Sequence, residues 1–159
     1  MKATEIHKKF MKRAIDLALR NIEQGGGPFG AIVVKDGEII AEGWNEVTPN
    51  NDPTAHAEVQ AIRKACKKLS SFELTGCEVY TSCEPCPMCL GAIYWSRPAK
   101  VYYALSREDA AGVGFDDEFI YQEIQIPHEK RKIPMHFLNH EDASAVFSTW
   151  KLKEDKTHY

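Results

Sequence analysis

Thr81-Ser82-Cys83-Glu84-Pro85-Cys86-Pro87-Met88-Cys89-Leu90 is the stretch from which the fold of this 159-residue chain is read. The residues leading into it, Cys77-Glu78-Val79-Tyr80-Thr81, predict a short strand. Those that follow predict a helix opening at Cys86 and running to about Trp95, with a second strand over Lys100-Val101-Tyr102-Tyr103-Ala104. A strand, a helix and a strand in close sequence make a parallel crossover, and in such sheets ligands bind at the carboxyl ends of the strands. Cys86 stands at that end. Pro87 suits a first helical position, because its φ is fixed and it has no N–H to leave unpaired. Cys86 and Cys89, three apart, then share one face of the first helical turn. The positive end of the helix dipole lowers their thiol pKa toward the metal-binding thiolate.

Upstream, Thr54-Ala55-His56-Ala57-Glu58 completes a constellation. A catalytic zinc takes three nitrogen or sulfur ligands and keeps a fourth position for water. His56, Cys86 and Cys89 supply that set, which implies one Zn2+ per subunit. Cys83 is a non-ligand in this reading, since the Cys86/Cys89 pair on a helical turn is the better clamp. Glu58 is no ligand either. Two thiolates already neutralise the ion, and a carboxylate that takes and returns a proton is what hydrolysis at the metal needs. The pairing of H-x-E with P-C-x-x-C is a known signature of zinc nucleobase deaminases. Residues two apart in a helix point roughly 200° apart, so His56 and Glu58 share a site only if His56 lies at the helix start.

Around this centre, Ile6, Phe10, Met11, Ala14, Ile15, Leu17, Ala18 and Ile22 follow helical spacing over 6–24, with the basic residues forming a solvated face. Gly25-Gly26-Gly27-Pro28 ends that helix and permits a tight approach to the pocket. Phe29 to Val34 and Glu38 to Glu42 flank Asp36-Gly37, a hairpin signal. A polar, proline-interrupted loop from Gly43 to Pro53 follows. In it, Asn45 offers either a turn-forming side chain or an amide that reads a heterocycle's edge. Val59, Ile62, Ala65, Cys66 and Leu69 make the helix carrying Glu58 amphipathic, with Cys66 in the core. Asp116 and Asp117 lie beside aromatic residues, as helix caps or as pocket carboxylates. Ile133 to Leu138 predicts a last strand and 142–153 a last helix.

Hydrophobic content of 43% in one chain of this length predicts a single domain over 1–159. A net charge of −3 offers no global field for a polyanion, so no nucleic-acid partner is expected. Five cysteines without disulfide-like spacing fit a reducing, cytoplasmic setting. The N-terminal stretch lacks an apolar leader core, and no run approaches a membrane span.

With these motifs in place, the chain resembles the cytidine deaminase superfamily and, within it, the bacterial guanine deaminases. The resemblance rests on Gly27-Pro28-Phe29-Gly30, Asn51 to Glu58, Thr81 to Trp95, Gly114-Phe115-Asp116-Asp117 with Phe119-Ile120-Tyr121, and a terminal Tyr159. It implies an α/β fold: a three-layer α/β/α sandwich on a five-stranded mixed sheet. It also implies a homodimer that exchanges its C-terminal segment, about 139–159. By the same resemblance, Glu58 and Asp117 are the catalytic carboxylates, and water adds at C2 of guanine to give xanthine and ammonia. Asn45 would meet the purine's polar edge, Phe29 its face, Asp117 and Tyr159 its exocyclic amine, and Trp95 would shape the wall.

Three other functions share parts of the pattern. Deamination of tRNA adenosine uses the same metal motifs, but residues 139–159 carry three lysines against four acidic residues, where a tRNA binder favours a basic tail. A cytosine or aminotriazine deaminase is also open. A non-catalytic zinc-stabilised binding module fits poorly, since Glu58 is present and a closed structural site wants a fourth protein ligand.

Overall fold

Asp36 and Gly37 both take positive φ, 51° and 79°, the backbone that a tight two-residue hairpin requires. The computed structural model describes residues 5–159, so residues 1–4, where the stretch read for a leader begins, lie outside it. That turn joins β1 (Gly30–Lys35) to β2 (Glu38–Trp44) in antiparallel register, Ala31 opposite Gly43. On its other side β1 pairs antiparallel with β3 (Cys77–Cys83). The predicted crossover is present: β3 pairs in parallel with β4 (Lys100–Leu105), Tyr80 opposite Tyr102.

The strand order is β2-β1-β3-β4. This corrects the expected five-stranded sheet: the sheet has four strands, mixed in direction, and Ile133 to Leu138 forms no strand. Pro134 has no N–H to give a ladder. The side chains of Ile133, Phe137 and Leu138 are exposed among the described residues, which leaves uncovered the apolar pattern that predicted a strand there.

Helices cover both faces. On one, α1 (Glu5–Glu23) sets Phe10 and Leu17 against Ile32, Val34 and Tyr80. On the other, α3 (Ala57–Leu69) sets Ala57, Ala61 and Ala65 against Ala31, Val33, Ala41 and Val79. Small alanines allow a close approach of helix to sheet, and Gly43 carries it further. A Cβ added there would lie 2.3 Å from the Ala57 carbonyl oxygen, so the start of α3 is seated directly on β2. Between β2 and α3 a short helix, α2 (Val47–Asn50), interrupts the loop. Helix α4 (Pro87–Ser96) packs beside α3 and ends at Arg97 in the left-handed conformation. The short α5 (Arg107–Ala111) is started by a reciprocal cap between Ser106 and Asp109.

One expectation for α1 is refined. Its buried residues are Phe10, Ala14, Leu17, Ala18 and Asn21, while Ile6 and Ile22 are half exposed. A polar residue thus occupies the last buried position of the stripe.

Contacts divide the chain at Glu118/Phe119. The second unit, Phe119–Tyr159, holds most of α6 (Glu118–Gln125), a 3-10 turn (His128–Lys130) and α7 (Ala143–Leu152). Within it, Arg131 donates to the carbonyls of Ile124 and Ile126. Among the described residues no helix is long and apolar enough to cross a membrane.

Candidate active site

His56 is the N-cap of α3, extended at φ −70° and ψ 156°. It therefore lies outside the helical spacing that would turn it away from Glu58, and both side chains enter one cavity. Cys86 plays the same part at α4, as an N-cap at φ −68° and ψ 169° followed by Pro87 at the first helical position. Two helix N-termini thus deliver all three predicted ligands.

The Sγ atoms of Cys86 and Cys89 each lie 3.5 Å from Nδ1 of His56. The three donor atoms fall within 4.8 Å of one another. Tetrahedral zinc with bonds of about 2.0 Å to nitrogen and 2.3 Å to sulfur places such donors about 3.5 Å apart. Donor type, number and spacing all fit zinc. Cys83 is not in this group. Its Sγ–H points to the Ser106 carbonyl at 3.6 Å, and burial pushes its thiol up to about 11. All five cysteines are free thiols.

Protonation in the cluster follows its contacts. Hydrogen bonding to Cys89 and to His56 holds the Cys86 thiol down to about 4 against the effect of burial. The Cys89 thiol is correspondingly raised. His56 is raised by its bond to Cys86. One sulfur is already disposed to ionise, and a cation takes the place that these shared protons fill.

Glu58 is buried at 5% exposure. Burial raises its carboxyl pKa, while bonds from Thr81 and Cys89 act the other way. Thr81 Oγ1 donates to Glu58 Oε1 at 2.8 Å, and Cys89 Sγ donates to Oε2 at 3.3 Å. A buried carboxyl raised from its ordinary value holds a proton more readily than an exposed one, as a group that takes and returns a proton must. Strand alternation held the signal for Thr81. Val79 packs on the α3 face of β3, and Thr81, two residues on, shares that face and meets the helix that carries Glu58.

The cavity, of about 590 Å³, is walled on its other sides by the glycine turn, Phe29, Asn45, Phe115 and Asp117. Phe29 and Phe115 meet edge to face, with ring centroids 5.0 Å apart. Asn45 supports a turn, its Oδ1 accepting from Val47 N at 3.2 Å at the start of α2, and the residue also lines the cavity. The two aspartates divide the roles expected of them. Asp116 accepts from Glu118 N at 2.9 Å, a cap, whereas Asp117 lines the cavity. The Asp117 carboxyl is raised, chiefly by burial and further by Cys86. Phe115 and Glu84 also line the cavity without having been singled out, and Arg107 N donates to Glu84 Oε2 at 3.2 Å. Trp95, on α4, is exposed and outside this lining. Tyr159 belongs to the second unit, where it too is exposed.

A mixed sheet carrying His-Cys-Cys at two helix N-termini, with a buried glutamate alongside, defines a zinc-dependent deaminase. The chain belongs to that family: residues 4–105 match the cytidine and deoxycytidylate deaminase zinc-binding region. It is 56% identical to the guanine deaminase of Bacillus subtilis strain 168 over 154 residues, 96% of this chain and 99% of the relative. An X-ray structure of guanine deaminase from Bacillus subtilis superposes with a TM-score of 0.95 at 56% identity, over 96% of this chain and 98% of that one. The chain is also 38% identical to the tRNA-specific adenosine deaminase of Aquifex aeolicus over 139 residues, 87% of this chain and 89% of the relative.

Proposed function

We propose that this protein hydrolyses guanine to xanthine and ammonia. The observation that carries the proposal is one cavity lined by His56, Cys86 and Glu58 together with Phe29, Asn45 and Asp117, with the buried Cys89 within 4.8 Å of the other two donors. The likeness to guanine deaminase from Bacillus subtilis, extending over nearly the whole chain, supports the choice of base.

His56, Cys86 and Cys89 would hold a zinc ion, which when bound would supply a water acidic enough to serve as nucleophile near neutral pH. Glu58 accepts a proton from the water that adds to C2 of guanine and returns it to the purine ring, and Thr81 holds the carboxylate in place. One C2–O bond forms, the proton left on that oxygen passes to the exocyclic amine, the C2–N bond breaks, and the nitrogen leaves as ammonia while C2 becomes a carbonyl. Guanine presents N1–H and the C2 amine side by side, a donor-rich edge. Asp117 is an acceptor for that edge, and Asn45, which offers both donor and acceptor, meets a second polar edge. Phe29 packs on the ring face. A base without those donors leaves the Asp117 carboxylate unpaired, and mismatches of that kind discriminate strongly.

The working form is a cytoplasmic homodimer. Trp95 on α4 and Ile133, Phe137, Leu138 and Phe147 in the second unit are exposed apolar residues of a kind that a partner subunit covers. In that dimer the 139–159 segments exchange, so that Tyr159 closes the partner's pocket and Trp95 shapes its wall.

Two experiments test these points. Ammonia release by the zinc-loaded protein, measured with free guanine, cytosine, adenine and a tRNA anticodon stem, is expected to be fastest with guanine. Faster release from the tRNA or from cytosine overturns the assignment. For the exchange, a chain lacking Tyr159 is mixed with a Glu58→Gln chain. Activity is expected to return, since each mixed dimer has one pocket with Glu58 intact and Tyr159 donated by the other chain. Mixed dimers that form yet stay inactive rule the exchange out.

A further inference from the structure

Asn21 is the polar residue at the last buried position of α1, only 5% exposed. Its side-chain Nδ2 donates two hydrogen bonds of 2.8 Å, to the carbonyl oxygens of Gly27 and Asn45. Both acceptors are carbonyls, so only the NH2 end of the amide fits there. The two acceptors lie on different segments, the glycine turn after α1 and the residue after β2, and both residues line the cavity. The same segments are tied again through Phe29. Phe29 N donates to Gly27 O at 2.9 Å, and Asn45 N donates to Phe29 O at 3.2 Å. Asn21 therefore closes a ring of hydrogen bonds around the backbone of the two residues assigned to the purine's face and edge.

The glycine turn is shaped around this amide. A Cβ at Gly26 would stand 2.4 Å from Asn21 Nδ2, and a Cβ at Gly27 would stand 3.0 Å from Asn45 Cγ. No side chain larger than hydrogen fits between Asn21 and the turn it holds. A buried polar residue costs free energy unless it is paired, and this one is paired only with backbone of the cavity wall.

We propose that Asn21, which does not itself line the cavity, is a positioning residue for substrate binding: its amide sets the separation of Phe29 and Asn45 across the base. The inference rests on the assignment of those two residues to the purine. It predicts a distinctive kinetic pattern, because the clip lies on the base-holding side, apart from the zinc ligands and Glu58. Asn21→Ala and Asn21→Asp are expected to raise KM for guanine about tenfold, to change kcat less than about threefold, and to keep one zinc per chain.

The decisive measurement is a double-mutant cycle. Gly26→Ala leaves Asn21 in the chain but pushes a methyl group into its amide, so it too is expected to raise KM. In the Asn21→Ala background the obstruction is gone, and Gly26→Ala is expected to add less than about twofold. A merely structural role for either residue gives independent, multiplying effects. Unchanged KM in zinc-loaded Asn21→Ala, or multiplying effects in the cycle, overturns the proposal. Should Asn21→Ala fail to fold, Gly26→Ala alone decides, and wild-type KM there overturns the proposal. Wild-type inactivity on guanine is a separate result that sinks the substrate assignment. The same cycle is then measured on whichever base is turned over.

Discussion

The two sides of the cavity are built on different plans. The metal side comes from N-termini of regular helices, with His56 and Cys86 as N-caps and Cys89 one turn into α4. Its groups touch one another directly, sulfur to imidazole and Thr81 to Glu58. The base side comes from turns and segment ends: Gly25 to Gly27, Phe29, Asn45, Phe115 and Asp117. Its members belong to separate segments and are held by backbone bonds and by the buried amide of Asn21. The difference teaches that reaction and selectivity rest on separate supports. Bond-making chemistry needs donors fixed to a few tenths of an ångström. Residues on loops that a rigid scaffold presents can vary without unmaking that scaffold, and the proposed choice of base rests on such residues.

Four substitutions test that division, starting with the largest effect. Cys86→Ser is expected to abolish activity together with the metal, read as zinc well below one equivalent by elemental analysis. Full occupancy in that variant would bring Cys83 back as a ligand. Glu58→Gln is expected to keep one zinc and a wild-type circular dichroism spectrum while kcat falls about 10²–10⁴-fold, the usual worth of positioned proton transfer. Near-normal turnover would remove Glu58 from the chemistry and blur the two sides. Asp117→Ala comes next, with kcat/KM for guanine down roughly 10²-fold and zinc unchanged, since a polar contact to the base is lost. If zinc fell with it, Asp117 would belong to the metal side. The smallest change is expected at Thr81→Val, which keeps the side-chain shape and removes one hydrogen bond to Glu58. There kcat is expected to drop about threefold to tenfold with KM unmoved. A KM effect would mean that Thr81 acts on the base side as well.

The same division runs through what could be read without coordinates. His56, Glu58, Cys86 and Cys89 are legible because metal chemistry restricts donor type and because Pro87 marks where α4 begins. The hairpin at Asp36-Gly37, the β3-α4-β4 crossover and the amphipathic helices α1 and α3 follow from local periodicity and turn residues. Thr81 was within reach through strand alternation. Ile133 to Leu138 misled, because an apolar pattern does not say which element it packs against, and among the described residues its side chains are exposed.

The sequence by itself thus determined the His56, Cys86 and Cys89 group, the glutamate beside it and the run of β1 to β4 along the chain. Each depends on residues close in the chain or on chemistry that few side chains perform. Tertiary structure alone decided that Asp117 faces the cavity while Asp116 caps a helix, that Asn45 both supports a turn and lines the site, and that Asn21 joins Gly27 to Asn45. The cavity gathers residues from Gly25 to Asp117, and Asn21 reaches Asn45, 24 residues on. An asparagine or aspartate in a turn has the same local preferences whether or not a base lies beside it, so only the packing of the sheet and its helices separates one role from the other.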